Sequence, residues 1–136
     1  MEESDTSLQL SHEVSLIKSF IIKERQQRYL DLLSTPKGRI KFRSYIAHFK
    51  DLNYQFYSEL PDSINQAIGL YNLLKSNGAP EFCYIISSNS KFDKKDMLLR
   101  DALNNLFLSG IEFFMSCIPG KLAYFEGEDG RYLLQK

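Results

Sequence analysis

The chain has 136 residues, 43% of them apolar and 25% charged, with a formal net charge of zero. That length supports one domain with its own core, and that composition excludes an intrinsically disordered chain. No stretch reaches the roughly 18 consecutive apolar residues of a membrane span, and two cysteines exclude a disulfide scaffold.

The N-terminus, MEESDTSLQLSHE, is acidic and polar. It lacks the basic start and long apolar stretch of a secretory signal. The sequence therefore reads as a cytoplasmic protein, with a disordered acidic arm over residues 1–10 and a single domain over 11–136. Residues 12–33 read as one long helix, with Val14, Ile17, Ile21 and Leu32 near one stripe. Its middle, KERQQR, is polar all round. The apolar ends can thus contact different bodies, and this helix is where a homodimer would form.

Ser34 or Thr35 can cap a second helix, and Pro36 suits its first position. That helix runs to about Phe49. The link KDLNYQFYSELP is aromatic and packs down. A third helix is expected from Asp62 or Ser63 to Asn77-Gly78, carrying Ile64, Ala67, Ile68, Tyr71 and Leu74 at helical spacing.

Beyond Pro80 the pattern changes. EFCYIIS is a short continuous apolar run, as in a strand buried on both faces. Residues 93–108 fit a fourth helix. IEFFMSCI is a second strand, and Pro119-Gly120 fits the centre of a type II turn. KLAYFEGE is a third strand, Asp129-Gly130 a hairpin signal, and RYLLQK a fourth strand. The expected fold is α+β: three N-terminal helices packed on a small mixed four-stranded sheet with order of appearance β-α-β-β-β. Its first two strands would be parallel if they pair directly. Cys83 and Cys117 sit in apolar runs and are expected as buried free thiols in neighbouring strands. A nucleophilic role needs an electropositive, partly open setting, which neither run supplies.

Zero net charge conceals an uneven layout. Residues 1–17 carry four acids and no Lys or Arg; residues 18–50 carry nine bases against Glu24 and Asp31; residues 51–136 carry eight bases against eleven acids. The middle block fits either a footprint for an acidic partner or a solvated helix pair neutralised from within the chain. Arg25 and Arg28 share one helix face, and Arg39 and Arg43 another.

Ser87, Ser88, Asn89 and Ser90 follow the first strand, where α/β ligands gather and a helix N-terminus can meet an anion. The same residues are ordinary turn formers, and the glycines of a phosphate loop are missing. As a turn, this stretch needs one cap, from Asn89, Ser90 or Asp93, and Ser87 and Ser88 tolerate Ala. In SCIPGK, Lys121 lies beside a tight turn that suits either an anion or a plain hairpin corner. Glu126, Glu128 and Asp129 match no calcium-loop spacing. His48 has Asp51 three residues on, and serves either as a base or as a helix-end hydrogen-bonder.

The strings YIISSNS, DMLLRDAL and FFMSCIPGKLAYFEGEDGRYLL, with LLSTPKGRIKF and HFKDL upstream, resemble a family of small uncharacterised bacterial proteins over about residues 20–136. The resemblance implies a single-domain cytoplasmic protein and names no chemistry. Two functional classes follow. The first is a non-enzymatic binding or regulatory module, engaging an acidic protein or nucleic acid through Arg25, Arg28, Arg39 and Arg43. The second is a small enzyme or anion- or nucleotide-binding domain. Its pocket would lie between the Ser87–Ser90 turn and the Ser116–Lys121 corner, using Ser87, Ser88, Asn89, Lys121 and His48. Neither class implies a cofactor or a metal.

Overall fold

The computed structural model describes the backbone of residues 2–136 and the side chains of residues 7–136. Among these, the chain forms α1 (Glu2–Phe20), α2 (Lys23–Leu33), α3 (Pro36–Tyr45), β1 (Tyr57–Glu59), α4 (Ala67–Ser76) and β2 (Phe82–Ser87). It continues through β3 (Lys95–Leu98), α5 (Leu99–Leu106), β4 (Phe113–Ile118), β5 (Leu122–Glu126) and β6 (Arg131–Gln135). Short 3₁₀ turns at Ile46–His48 and Tyr54–Phe56 lie between α3 and β1. Of the acidic arm expected over 1–10, Met1 and the side chains of residues 2–6 lie outside the described residues; the backbone from Glu2 belongs to α1.

The strands make one antiparallel sheet in the order β1-β6-β5-β4-β2-β3. The fold is α+β, but five helices and six antiparallel strands replace the expected three helices on a mixed four-stranded sheet of order β-α-β-β-β. Helices cover both faces of the sheet. Leu16, Ile17, Phe20, Tyr29 and Phe42 of α1–α3 pack on Tyr84, Ile86, Phe114 and Phe125. Leu70, Leu74, Leu99, Leu103 and Leu106 of α4 and α5 pack on Ile85, Phe113, Met115 and Tyr124. Successive strand residues point to opposite faces, so strands covered on both sides read as continuous apolar runs. That reading was sound for β2 and β4, but parallel pairing does not follow from it: Tyr84 faces Ser116 in an antiparallel ladder.

Three other differences have local causes. The long first helix breaks at Ile21-Ile22 because Ile21 bridges Leu52, and Ile22 N–H donates to the Asp51 carbonyl at 2.9 Å. Gln26 then donates to the Ile21 carbonyl at 3.0 Å, satisfying an acceptor just past the end of α1. Residues 95–98, expected as helix, instead pair with Phe82–Ile85 as an edge strand. The third helix starts at Ala67 rather than near Asp62, since Pro61–Gln66 is spent in turns, one closed by Ile64 N–H on the Pro61 carbonyl at 3.0 Å.

The α2–α3 hairpin, which carries the basic block, is built as its residues suggest. The Thr35 hydroxyl accepts from Gly38 N–H at 3.0 Å, and Pro36 opens α3. A Cβ on Gly38 would lie 2.4 Å from the Leu32 carbonyl oxygen, so the two helices approach too closely for any other residue. At the far end of β4, Gly120 has φ +74° and Lys121 N–H donates to the Ile118 carbonyl at 2.9 Å, as a type II turn requires. Among the described residues, no helix is long and apolar enough to cross a membrane.

Candidate anion-binding cleft

The basic block divides into an exposed part and a neutralised part. Arg25 and Arg28 project from α2 into solvent, flanking Tyr29, which turns inward. They border an open cleft of about 390 Å³ between α2 and the segment from Ser44 to Asp51. Tyr45, His48, Phe49 and Lys50 complete its walls. Arg28 donates to the Tyr45 hydroxyl at 3.1 Å, with its guanidinium 6.0 Å from that ring's centroid. Among the described residues, Arg25 and Lys50 have no ion-pair partner.

Tyr29 at the floor of the cleft is held by a hydrogen bond and by two rings. The Tyr29 hydroxyl donates to Asp51, and burial together with that carboxylate pushes the phenol above its ordinary range. The ring packs edge-on against Phe42 at 5.4 Å and lies 5.2 Å from Phe49. His48 stands at the rim, 3.0 Å from Asp129 and 2.9 Å from Glu128. Asp129, by hydrogen bond and charge, and then Glu128 raise its pKa, which favours the imidazolium. His48 therefore pairs with the β5–β6 turn rather than with Asp51, whose side chain holds Tyr29.

Arg39 and Arg43 belong elsewhere. Arg39 is 8% exposed. It contacts Glu13 of α1 at 2.6 Å and Asp93 of the β2–β3 loop at 2.8 Å. Glu13 also accepts from the Tyr84 hydroxyl at 2.5 Å, and Asp93 from Ser87 N–H at 3.0 Å. His12 stacks on Tyr84 at 5.5 Å and meets the Ser116 hydroxyl at 2.6 Å. These residues form a buried polar seam between α1, α3 and the sheet. Arg43 reaches the Ser88 carbonyl at 3.3 Å and stands 3.9 Å from Asp93.

The Ser87–Ser90 stretch satisfies itself. Ser87 is fully buried; its hydroxyl donates to the Glu112 carbonyl at 3.0 Å and accepts from Asn89 N–H at 3.0 Å. Ser88 donates to the Glu112 carboxylate at 2.8 Å, and the Asn89 side chain accepts from Lys91 N–H at 2.9 Å. Lys121 is distant. Ser87 pairs with Phe113 at one end of β4, whereas Lys121 follows Ile118 at the other, about 17 Å along the strand. The three acids near the β5–β6 turn have separate roles: Glu126 accepts from the Tyr124 hydroxyl and Leu108 N–H, while Glu128 and Asp129 hold His48. No group of three or more His, Cys, Asp or Glu among the described residues has the arrangement of a metal site.

The chain matches no protein-family model, no curated protein and no solved structure. What the cleft can bind is set by its own side chains. Sequence reasoning picks out Arg25, Arg28 and His48 but gives no role to Lys50 or Ser44, and it reads the spacing of Tyr29, Phe42, Tyr45 and Phe49 as core contact rather than as a base-stacking platform. The signal for Ser44 and Tyr45 is the helical spacing Ser44/His48 and Tyr45/Phe49, which puts each pair on one side of the chain. Glu13 and Tyr84 carry no local signal for the seam and Asp93 only that of a cap, since the pairs Arg39–Glu13, Arg39–Asp93 and Tyr84–Glu13 are 26 to 71 residues apart.

Proposed function

We propose that this chain is a non-enzymatic binding module whose cleft between α2 and the Ser44–Asp51 segment receives the phosphate backbone of a single-stranded nucleic acid. The observation that carries the reading is the convergence of Arg25, Arg28 and Lys50 on one open cleft walled by Tyr45 and Phe49, with His48 at its rim already engaged by Glu128 and Asp129. Guanidinium groups match phosphate oxygens in geometry and charge. Partly exposed aromatic rings beside them suit a base, which stacks without regard to sequence. The self-satisfied Ser87–Ser90 turn and its distance from Lys121 favour this reading over an enzyme using those residues.

The test is fluorescence anisotropy with a short labelled single-stranded oligonucleotide at low ionic strength. Two or three phosphate contacts give a log–log salt slope of about −1.4 to −2.1. Arg25→Gln/Arg28→Gln should flatten that slope by about 1.4 while leaving the fold intact. Absence of binding at low salt, or an unchanged slope in the double variant, would refute the reading.

A further inference from the structure

A second cavity, of about 450 Å³, lies at the other end of the α2–α3 hairpin. It shares no lining residue with the first cleft. Arg39, Arg43 and Lys94 supply its cations, and Asp93 is its one acid. Arg39 is balanced internally by Glu13 and Asp93. Arg43 is underused: it makes one long hydrogen bond of 3.3 Å, and its Nε, shielded from water, has no hydrogen-bond partner and stands 3.9 Å from Asp93. A shielded, unpaired guanidinium N–H is costly, so an acceptor that draws Arg43 into a paired geometry gains what the free protein lacks. Lys94 is exposed, at φ +63°, and has no ion-pair partner among the described residues. With Arg39 and Glu13 included, the charge at this cavity is about +1, which one carboxylate matches.

This polar cavity adjoins an apolar one. A groove of about 310 Å³ runs between α1 and α2, lined by Leu10, Val14, Leu30 and Leu33, with Lys18 and Glu13 at its margins. Leu33 and Ser34 line both spaces, so the cationic end and the apolar groove meet there. Leu10 is 60% exposed beside the groove, and Ile40 is 65% exposed beside the cavity. Apolar side chains of this size at the surface, continuous with a groove and ending at Lys94, which has no ion-pair partner among the described residues, and at the poorly coordinated Arg43, describe the complement of an amphiphile with an anionic head.

We infer that the joined cavities bind a single-chain aliphatic carboxylate, its head at Arg43 and Lys94 and its chain laid over Leu33 into the groove between α1 and α2. The inference is independent of the nucleic-acid reading, because it uses other residues and another face of the hairpin. The probe is decanoate below its aggregation concentration, followed by calorimetry and by ¹H–¹⁵N amide shifts that also report an intact fold. Affinity should rise about three- to fourfold per methylene from hexanoate to decanoate, as expected for burial of each CH₂. Shifts should cluster at Leu10, Leu30, Leu33 and Lys94. Arg43→Gln/Lys94→Gln should weaken decanoate at least about tenfold, the effect of losing a charge-assisted contact, and leave decanol unaffected. Val14→Asp, on the groove wall, should abolish the chain-length dependence. Equal binding of decanoate and decylammonium, decanoate affinity unchanged in Arg43→Gln/Lys94→Gln, or inorganic phosphate competing as well as decanoate would each overturn the proposal.

Discussion

Replacing Arg39 by Leu tests the buried seam that joins α1 and α3 to the sheet. The side chain is about one-tenth exposed, and its two partners less: 10% against 8% for Glu13 and 6% for Asp93. Removing one member of such a group leaves uncompensated charge in a poorly hydrated place, which costs about 3–5 kcal/mol. Here part of that charge keeps other partners. Glu13 retains the Tyr84 hydroxyl, and Asp93 retains Ser87 N–H with Arg43 nearby. The low end, about 3 kcal/mol, is therefore expected, roughly a hundredfold shift in the folding equilibrium. Glu13→Gln should cost less, about 1–2 kcal/mol, because the amide still accepts from Tyr84 and Arg39 still holds Asp93. Removing the whole set with Glu13→Leu/Arg39→Leu/Asp93→Asn should be less damaging than Arg39→Leu alone, since no buried carboxylate is stranded; what remains is the acceptor lost to the Tyr84 hydroxyl and the charge lost to the partly exposed Arg43. Urea unfolding at neutral pH measures all three. A loss under about 1 kcal/mol for Arg39→Leu, or a triple variant less stable than the single one, would refute the reasoning.

Burial holds His12 below its ordinary value of 6.5, against a smaller opposing pull from Asp96. The unfolded chain then binds a proton that the folded chain refuses. This contribution to stability is complete above about pH 6.5 and is lost as pH falls from there toward the lower folded value. His12→Asn should flatten that limb of the stability curve, and equal slopes in both proteins would count against it. Burial pushes the Cys117 thiol up to about 12 and Cys83 higher still. Both should resist Ellman's reagent until the protein is denatured; rapid labelling of either in the native state would contradict this. Ser87→Ala, mild on sequence grounds, should cost about 1–2 kcal/mol, since its buried hydroxyl both donates and accepts. Ser88→Ala should cost less, and equal losses in thermal melting would show that burial does not distinguish them.

The strands β2, β4 and β5 were legible because helices cover both sheet faces and leave no polar alternation to mislead. The edges were not. Lys95, Asp96 and Leu98 are exposed on β3, and with Leu99, Ala102 and Leu103 they fit a helical repeat as well as a strand. Only pairing with Phe82–Ile85, a contact beyond any local window, selects the strand. β1 is three residues long and depends on β6 in the same way. Edge strands present one side to solvent, so little in their composition separates them from loop or helix.

The same distinction governs the arginines. Spacing correctly puts Arg39 and Arg43 on one face, but spacing does not carry the identity of what that face meets. Arg39 meets Glu13 from the acidic N-terminal block and Asp93 from the acidic C-terminal block, and is neutralised by both. The surplus of seven positive charges in residues 18–50 thus overstates what a ligand would find. A cation contributes to recognition only where the fold leaves it unpaired and accessible. On α2, Tyr29 turns inward to Asp51, while Arg25 and Arg28 stay exposed around the cleft above it, where Lys50 joins them. Arg43 lies between the two cases, held by one carbonyl and short of a second acceptor. The electrostatic surface of this protein is therefore set less by its charge count than by which basic side chains the buried seam has already engaged.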